Sequence, residues 1–143
     1  MFFVKYRLTA LGLIAALAAL ISSCSLAPAS DKTAPTITNV ATSSKVLARS
    51  DCIPTSLTVT GNVTDSGGVA SVALWYRVGQ DQDFTQTNMT RANGDQYTAT
   101  IKALDIPGGE YGTFEFYILA QDKAGNQAQS STDTSVELSR CVG

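Results

Sequence analysis

Apolar and polar residues alternate with a period of two along most of the chain after residue 33. Such alternation predicts β-strands that bury one face, and turn sequences such as DSGG (65–68) and DKAGN (122–126) separate the segments. The strongest segments are 57–63, 69–78, 96–102 and 113–121, and the weaker ones are 36–41, 84–90 and 135–139. Seven amphipathic strands must bury their apolar faces on one another, so the pattern predicts an all-β, antiparallel sandwich of two sheets.

The alternation also assigns a face to each residue of the strong segments. The residues predicted to point inward are Leu57, Val59, Gly61, Val63, Val72, Leu74, Tyr76, Val78, Tyr97, Ala99, Ile101, Phe114, Phe116, Ile118 and Ala120. The residues between them are predicted to face solvent.

The first 23 residues have a different pattern. Lys5 and Arg7 precede an uncharged apolar run over 8–21, which as a helix would cover about 21 Å, less than the ~30 Å hydrocarbon core of a membrane. A positive end, a short apolar run and small residues are typical of a secretory signal peptide. The alternative is a short transmembrane anchor.

The sequence ISSC, which ends at Cys24, resembles a bacterial lipobox. The resemblance implies that residues 1–23 are removed as a lipoprotein signal peptide and that Cys24 carries acyl chains such as palmitate. Two or three chains would hold the protein on a membrane almost permanently, because each buried methylene contributes about 0.8 kcal/mol. Residues 24–33 are small, polar and proline-containing, so we expect a lipidated flexible tether before a domain over 34–143.

Charge and cysteine content narrow the class of protein further. Since Lys5 and Arg7 leave with the signal, eight of the 10 basic residues remain against 12 acidic ones, a net charge of about −4. This balance, without a dense basic patch, argues against nucleic acid as a partner. With Cys24 acylated, Cys52 and Cys141 are left as a pair, which in an exported protein predicts a disulfide; the alternative is two free thiols.

Three sequences in the predicted domain, DSGGVASVALWYR, GDQYTATI and FEFYILAQDKAGN, resemble bacterial immunoglobulin-like or fibronectin type III-like extracellular domains. The resemblance covers residues 34–138 and implies an immunoglobulin-like β-sandwich of seven strands. The cysteine pair does not match the pattern of antibody domains, so the resemblance is to the wider group. Such sandwiches have many unrelated functions, and the fold alone does not identify one.

In immunoglobulin-like sandwiches the third and sixth strands are neighbours in one sheet. The resemblance therefore implies that Trp75 and Arg77 share a solvent-facing surface with Tyr117 and Leu119. Trp, Tyr and Arg are enriched at binding hot spots, and aromatic rings also stack on sugars, so these four residues form a candidate binding patch. The alternatives are that other segments cover them or that Trp75 lies in the core.

The chain contains no histidine, which excludes Ser–His and Cys–His nucleophile pairs, so we expect no enzymatic activity and no catalytic residue. No cofactor is expected, with calcium as the alternative. Calcium takes six to eight oxygen ligands, and Asp65, Asp122 and Asn126 lie in two loops predicted at the same end of the sandwich, where Asp31 could join them. Alternatively, these side chains hydrogen-bond their own turns.

Together these features predict an exported protein that is lipid-anchored to the bacterial cell membrane or the outer membrane. We expect its domain to be a non-catalytic binding or structural module whose partner is an envelope protein or a glycan. A carbohydrate- or calcium-binding accessory module of an envelope assembly is the alternative.

Overall fold

The computed structural model describes residues 31–49, 54–108 and 111–140. Within them the chain forms ten β-strands and a short 3₁₀ turn at Ala103–Asp105. The strands are β1 (Thr36–Thr42), β2 (Val46–Ala48), β3 (Ser56–Thr64), β4 (Val69–Val78), β5 (Thr85–Asn88), β6 (Thr90–Asn93), β7 (Gln96–Lys102), β8 (Gly112–Asp122), β9 (Gln127–Gln129) and β10 (Asp133–Ser139). No helix in these three ranges is long and apolar enough to cross a membrane.

The strands form two sheets, which confirms the predicted all-β architecture. One sheet has the strand order β1-β3-β7-β6, and the other has the order β2-β10-β8-β4-β5, with β9 added along β8. Neighbouring strands are antiparallel except for the pair β2 and β10, which is parallel. The longest strands, β3, β4 and β8, lie inside the sheets, where both of their edges are hydrogen-bonded.

The inward residues of the strong segments form one core between the two sheets. All fifteen predicted inward residues are buried, and Phe114, Phe116 and Ile118 of β8 are fully inaccessible. The sheets approach closely at Gly61 of β3, where a Cβ atom would lie 2.6 Å from Ile118 Cδ1 of β8. Glycine is therefore the residue that lets the two layers meet at this point.

The structure differs from the prediction at residues 84–90, which were expected to form one strand. Here β5 pairs with β4 in one sheet and β6 pairs with β7 in the other. Met89, which lies between them, is 6% exposed, so the chain crosses between the layers at a buried residue. The strands β2 and β9 were also not predicted, because three residues are too few to show a period.

Three predicted features lie outside the described residues. These are the signal peptide over 1–23, the acylation of Cys24 and the disulfide between Cys52 and Cys141. They stay predictions from the sequence.

Candidate functional site

The outer face of the six-stranded sheet carries the four residues of the predicted patch. In the register of β4 and β8, Trp75 pairs with Tyr117 and Ala73 pairs with Leu119. Arg77 pairs with Glu115 one step further along. Because directly paired residues place their side chains on the same face, these residues form one surface on the side of the sheet away from the core.

The centre of this surface is an aromatic cluster of Trp75, Tyr117 and Phe84. The rings of Trp75 and Tyr117 have centroids 6.2 Å apart and planes within 6° of parallel. Phe84 reaches across from the residue before β5, with its centroid 5.0 Å from that of Tyr117. All three side chains are half-buried, so each leaves part of its surface open to solvent.

Phe84 was not predicted as part of the patch. It begins the weak segment 84–90, whose faces could not be assigned because the segment divides between two sheets. Its position next to Arg77 is clear only from the structure, in which the Arg77 guanidinium carbon lies 4.5 Å from the centre of the Phe84 ring.

Arg77 fixes the end of the patch that lies next to the loop after β4. Its Nε and Nη2 atoms donate to Glu115 Oε2 at 2.9 Å and 2.7 Å. Its Nη1 atom donates to the backbone oxygens of Gln80 at 3.1 Å and Gln82 at 3.4 Å. The guanidinium is thus neutralised by Glu115 and fastened to the loop after β4, so its role is to fix the loop that carries Phe84.

A second cluster lies at the end of the sandwich where the chain enters the domain. One carboxylate oxygen from each of Asp31, Asp65 and Asp122 lies within 4.8 Å of the others. Asp31 precedes β1, Asp65 follows β3 and Asp122 ends β8, so three separate parts of the chain meet here. We call this group the acidic cluster.

Local turns hold the carboxylates of the acidic cluster in position. Asp65 Oδ1 accepts a 2.9 Å hydrogen bond from the backbone N–H of Gly67. A Cβ atom at Gly67 would lie 2.3 Å from Asp31 Oδ2, so the absence of a side chain there lets Asp31 approach. The predicted hydrogen bonds to the turns are therefore present, and the carboxylates also lie close together, while calcium binding stays a prediction.

Asn126 connects the acidic cluster to the last residues of the predicted tether. Its Nδ2 atom donates to Asp122 Oδ2 at 2.7 Å and to the backbone oxygen of Asp31 at 3.0 Å. The sequence singled out Asp65, Asp122 and Asn126 and allowed Asp31 to join them, and the structure places the Asp31 carboxylate in the cluster. Asn126 acts as a hydrogen-bond donor to Asp122 and to the backbone of Asp31.

The Asp122 carboxylate is buried and charged. Burial alone would raise the pKa of Asp122, but hydrogen bonds to its oxygens outweigh burial and hold the pKa below its ordinary value of 3.8. The donors are the Asn126 side chain and the backbone N–H groups of residues 124–126. The acidic cluster therefore keeps a negative charge at its most buried position at neutral pH.

Comparisons with known protein families and with curated proteins found no match to this chain. The aromatic cluster offers half-buried aromatic rings to a ligand, and the acidic cluster offers carboxylate oxygens to a cation.

Proposed function

We propose that this protein is a lipid-anchored lipoprotein of a bacterial envelope whose single domain binds a partner without catalysis. The signal-like run before Cys24 supports export and acylation. The two-sheet fold and the sequence resemblance support an immunoglobulin-like or fibronectin type III-like sandwich. Binding rather than catalysis is supported by the chemistry of the chain, which has no histidine to activate a nucleophile.

The observation that carries the proposal is the aromatic cluster on the outer face of the six-stranded sheet. Aromatic rings are normally buried in the core of a small domain, where they contribute the most to stability. Here the core is already filled from the inner face of the same strands, and Trp75 and Tyr117 add a second apolar layer that remains half-open. Such clusters of Trp and Tyr are typical of binding hot spots.

Replacing Trp75 by alanine is expected to abolish capture of the physiological partner. The full chain, extracted in detergent, would be used to capture material from the envelope of its host, and bound proteins and glycans would be measured by mass spectrometry. We expect a partner that is lost at least tenfold with Trp75→Ala, because truncating a central aromatic residue commonly costs 2 kcal/mol or more of binding energy.

The matched control for Trp75→Ala is Tyr111→Ala. Tyr111 is 64% exposed and precedes β8. The Tyr111→Ala variant therefore removes an exposed aromatic ring about 20 Å along the strand from Tyr117. Its variant should capture the same material as the original chain. Equal capture by both variants and by the original chain, with all three folded, would refute the proposed binding face.

The acidic cluster favours a second candidate function, which is calcium binding at the tether end of the domain. Three carboxylates within 4.8 Å repel one another, and a divalent cation would relieve that repulsion. Carboxylates and backbone carbonyls in loops are the ligands that calcium takes in proteins. Asp31, Asp65 and Asp122 would supply the charged ligands, while Asn126 holds Asp31 and Asp122 in place.

Adding about 5 mM calcium is expected to raise the melting temperature by roughly 4–8 °C. This corresponds to about 1–2 kcal/mol for the millimolar to submillimolar affinities of extracellular calcium modules. Asp65→Asn should abolish the calcium-induced shift, because it removes one of the three charged ligands. The turn should stay intact, because the asparagine oxygen can still accept the hydrogen bond from the Gly67 N–H. Without calcium the same variant should be at least as stable as the original chain, since fewer like charges remain.

The control for the calcium measurement is Asp95→Asn. Asp95 is paired with Arg91 at 3.0 Å and does not belong to the acidic cluster, so its variant should keep the full calcium shift. An unchanged melting temperature at millimolar calcium, measured by scanning calorimetry, would remove this second function and leave the first intact.

A further inference from the structure

We propose that the ligand of the aromatic cluster is a neutral saccharide chain. This inference rests on the proposed binding function and names the chemical class of the partner. It follows from the side chains that surround the rings on the same face of the sheet.

Neutral amide side chains lie on the two strands that flank β4 and β8, next to the aromatic cluster. On the β5 side, Gln86 pairs with Trp75 and Asn88 pairs with Ala73. Since paired residues share a face, both amides lie beside the aromatic cluster, and both are exposed.

The opposite border is formed by β9, which runs along the other edge of β8. There Gln129 pairs with Leu119 and Gln127 pairs with Gln121, and both β9 amides are exposed. Gln86 thus lies directly beside Trp75, and Gln129 lies beside Leu119, the next outward residue of β8 after Tyr117. The aromatic cluster therefore continues along the strands into a band with a row of amides on each flanking strand.

Charge on this face is confined to one end. On the outward positions of β5, β4, β8 and β9, within the described residues, Arg77 and Glu115 are the charged side chains, and they neutralise each other at 2.7 Å. The remaining outward positions near the rings are amide, hydroxyl or apolar. Exposed acidic side chains lie beyond this end, Glu137 on β10 and Asp81 and Asp83 in the loop before Phe84. They disfavour an anionic lipid headgroup, because like charges repel.

Aromatic rings and side-chain amides on one surface match the two kinds of group that a sugar presents. One face of a sugar ring carries C–H groups with a slight positive charge, which are attracted to the negative face of an aromatic ring. The sugar edge carries hydroxyl groups that both donate and accept hydrogen bonds, as do the side-chain amides of Gln and Asn. A neutral saccharide chain laid along the band would satisfy both requirements at once.

Trp75 is the only tryptophan of the chain, so its fluorescence reports directly on this surface. The full chain in detergent micelles would be titrated with neutral hexasaccharides of β-1,4-linked glucose, xylose and N-acetylglucosamine, and then applied to an array of neutral and acidic glycans. We expect a saturable change in Trp75 fluorescence with at least one neutral glycan.

Variants separate the contributions of the rings from those of the amides. Tyr117→Ala is expected to weaken binding at least tenfold, and Gln86→Ala and Gln129→Ala by about three- to tenfold each, the range that one hydrogen bond provides. Tyr111→Ala should bind as tightly as the original chain. Because the two glutamines are exposed, their variants should melt at the same temperature as the original chain, which excludes unfolding as the cause.

The outcomes also distinguish the two proposals. If no glycan binds while Trp75→Ala still abolishes capture of an envelope protein, the face binds protein and the saccharide proposal is refuted. Glycan binding that the ring and amide variants leave unchanged, or binding restricted to acidic glycans, refutes it as well. Failure of both glycan binding and Trp75-dependent capture would refute the proposed function itself.

Discussion

Replacing Cys24 by alanine is expected to abolish acylation of the protein in its host. Cells grown with labelled fatty acid should incorporate the label into the original chain and not into the Cys24→Ala variant. The acyl chains should also contribute a large membrane-binding energy, because two or three of them bury tens of methylenes at about 0.8 kcal/mol each. One myristoyl chain, by comparison, gives only marginal membrane binding. Mass spectrometry of the mature amino-terminal peptide would show the acyl chains on residue 24.

The control for this experiment is Cys52→Ser, which removes a cysteine that is not preceded by a lipobox-like sequence. That variant should still incorporate the label. Membrane association alone is a poor readout, since a variant that keeps residues 1–23 uncleaved could remain attached through its apolar run. If the unmutated protein incorporates no label, the lipid anchor is refuted. If the Cys24→Ala variant incorporates label, Cys24 is not the site of acylation.

Replacing Arg77 by alanine is expected to lower the free energy of unfolding by about 3 kcal/mol. Glu115 is 6% exposed, so the variant would leave a buried carboxylate without its cation, which is among the costlier single changes in proteins. It would also release the loop oxygens of Gln80 and Gln82 that Arg77 now binds. Urea denaturation would measure the loss, and the melting temperature should fall by roughly 10 °C.

The companion variant Glu115→Ala should cost less than Arg77→Ala. The Arg77 side chain is 23% exposed and would keep its two backbone acceptors and part of its hydration. A double variant, Arg77→Leu with Glu115→Leu, should recover much of the loss, since it leaves no buried charge behind. Equal destabilisation by the two single alanine variants would contradict the view that the buried carboxylate dominates the cost.

The faces of the long strands could be predicted because one physical rule controls them. A strand with one buried face must alternate, and the alternation in 69–78 and 113–121 is strong enough to place Trp75 and Tyr117 on the outer face. Their side-by-side arrangement also needed the order of strands in the sheet. That order came from a family resemblance, and the pairing of β4 with β8 agrees with it.

The outward position of Glu115 shows where alternation stops being informative. An outward residue was expected to be exposed, yet Glu115 is buried, because Arg77 and the loop after β4 fold over it. Phe84 was missed for a related reason, since its contact with Tyr117 depends on the path of a loop. Loop paths are set by tertiary contacts, such as the bonds from Arg77, and have no period that a sequence reveals.

The acidic cluster was predictable in part. The alternating direction of strands placed the loops of Asp65 and Asp122 at one end, but the approach of Asp31 depends on the missing side chain of Gly67 and on the bond from Asn126. Neither contact leaves a periodic signal in the sequence.

The described residues that flank Cys52 and Cys141 lie close to one another. The backbone N–H of Ala48 bonds to the oxygen of Pro54 at 2.8 Å, and that of Arg49 bonds to the oxygen of Ser139 at 3.4 Å. The segments on either side of Cys52 and before Cys141 thus meet at one end of the sandwich. The bond between the two sulfurs stays a prediction.

The crossing of the chain at Met89 has a consequence for aggregation. Because residues 84–90 divide between the layers, each sheet ends in a strand of only four polar or small residues, β5 on one side and β6 on the other. The opposite edges are equally poor templates, since β2 has three residues and β1 is interrupted by a bulge at Asn39, whose φ is +52°. Short or bulged edges are poor templates for strand pairing between molecules, so we expect that two copies would not join their sheets edge to edge.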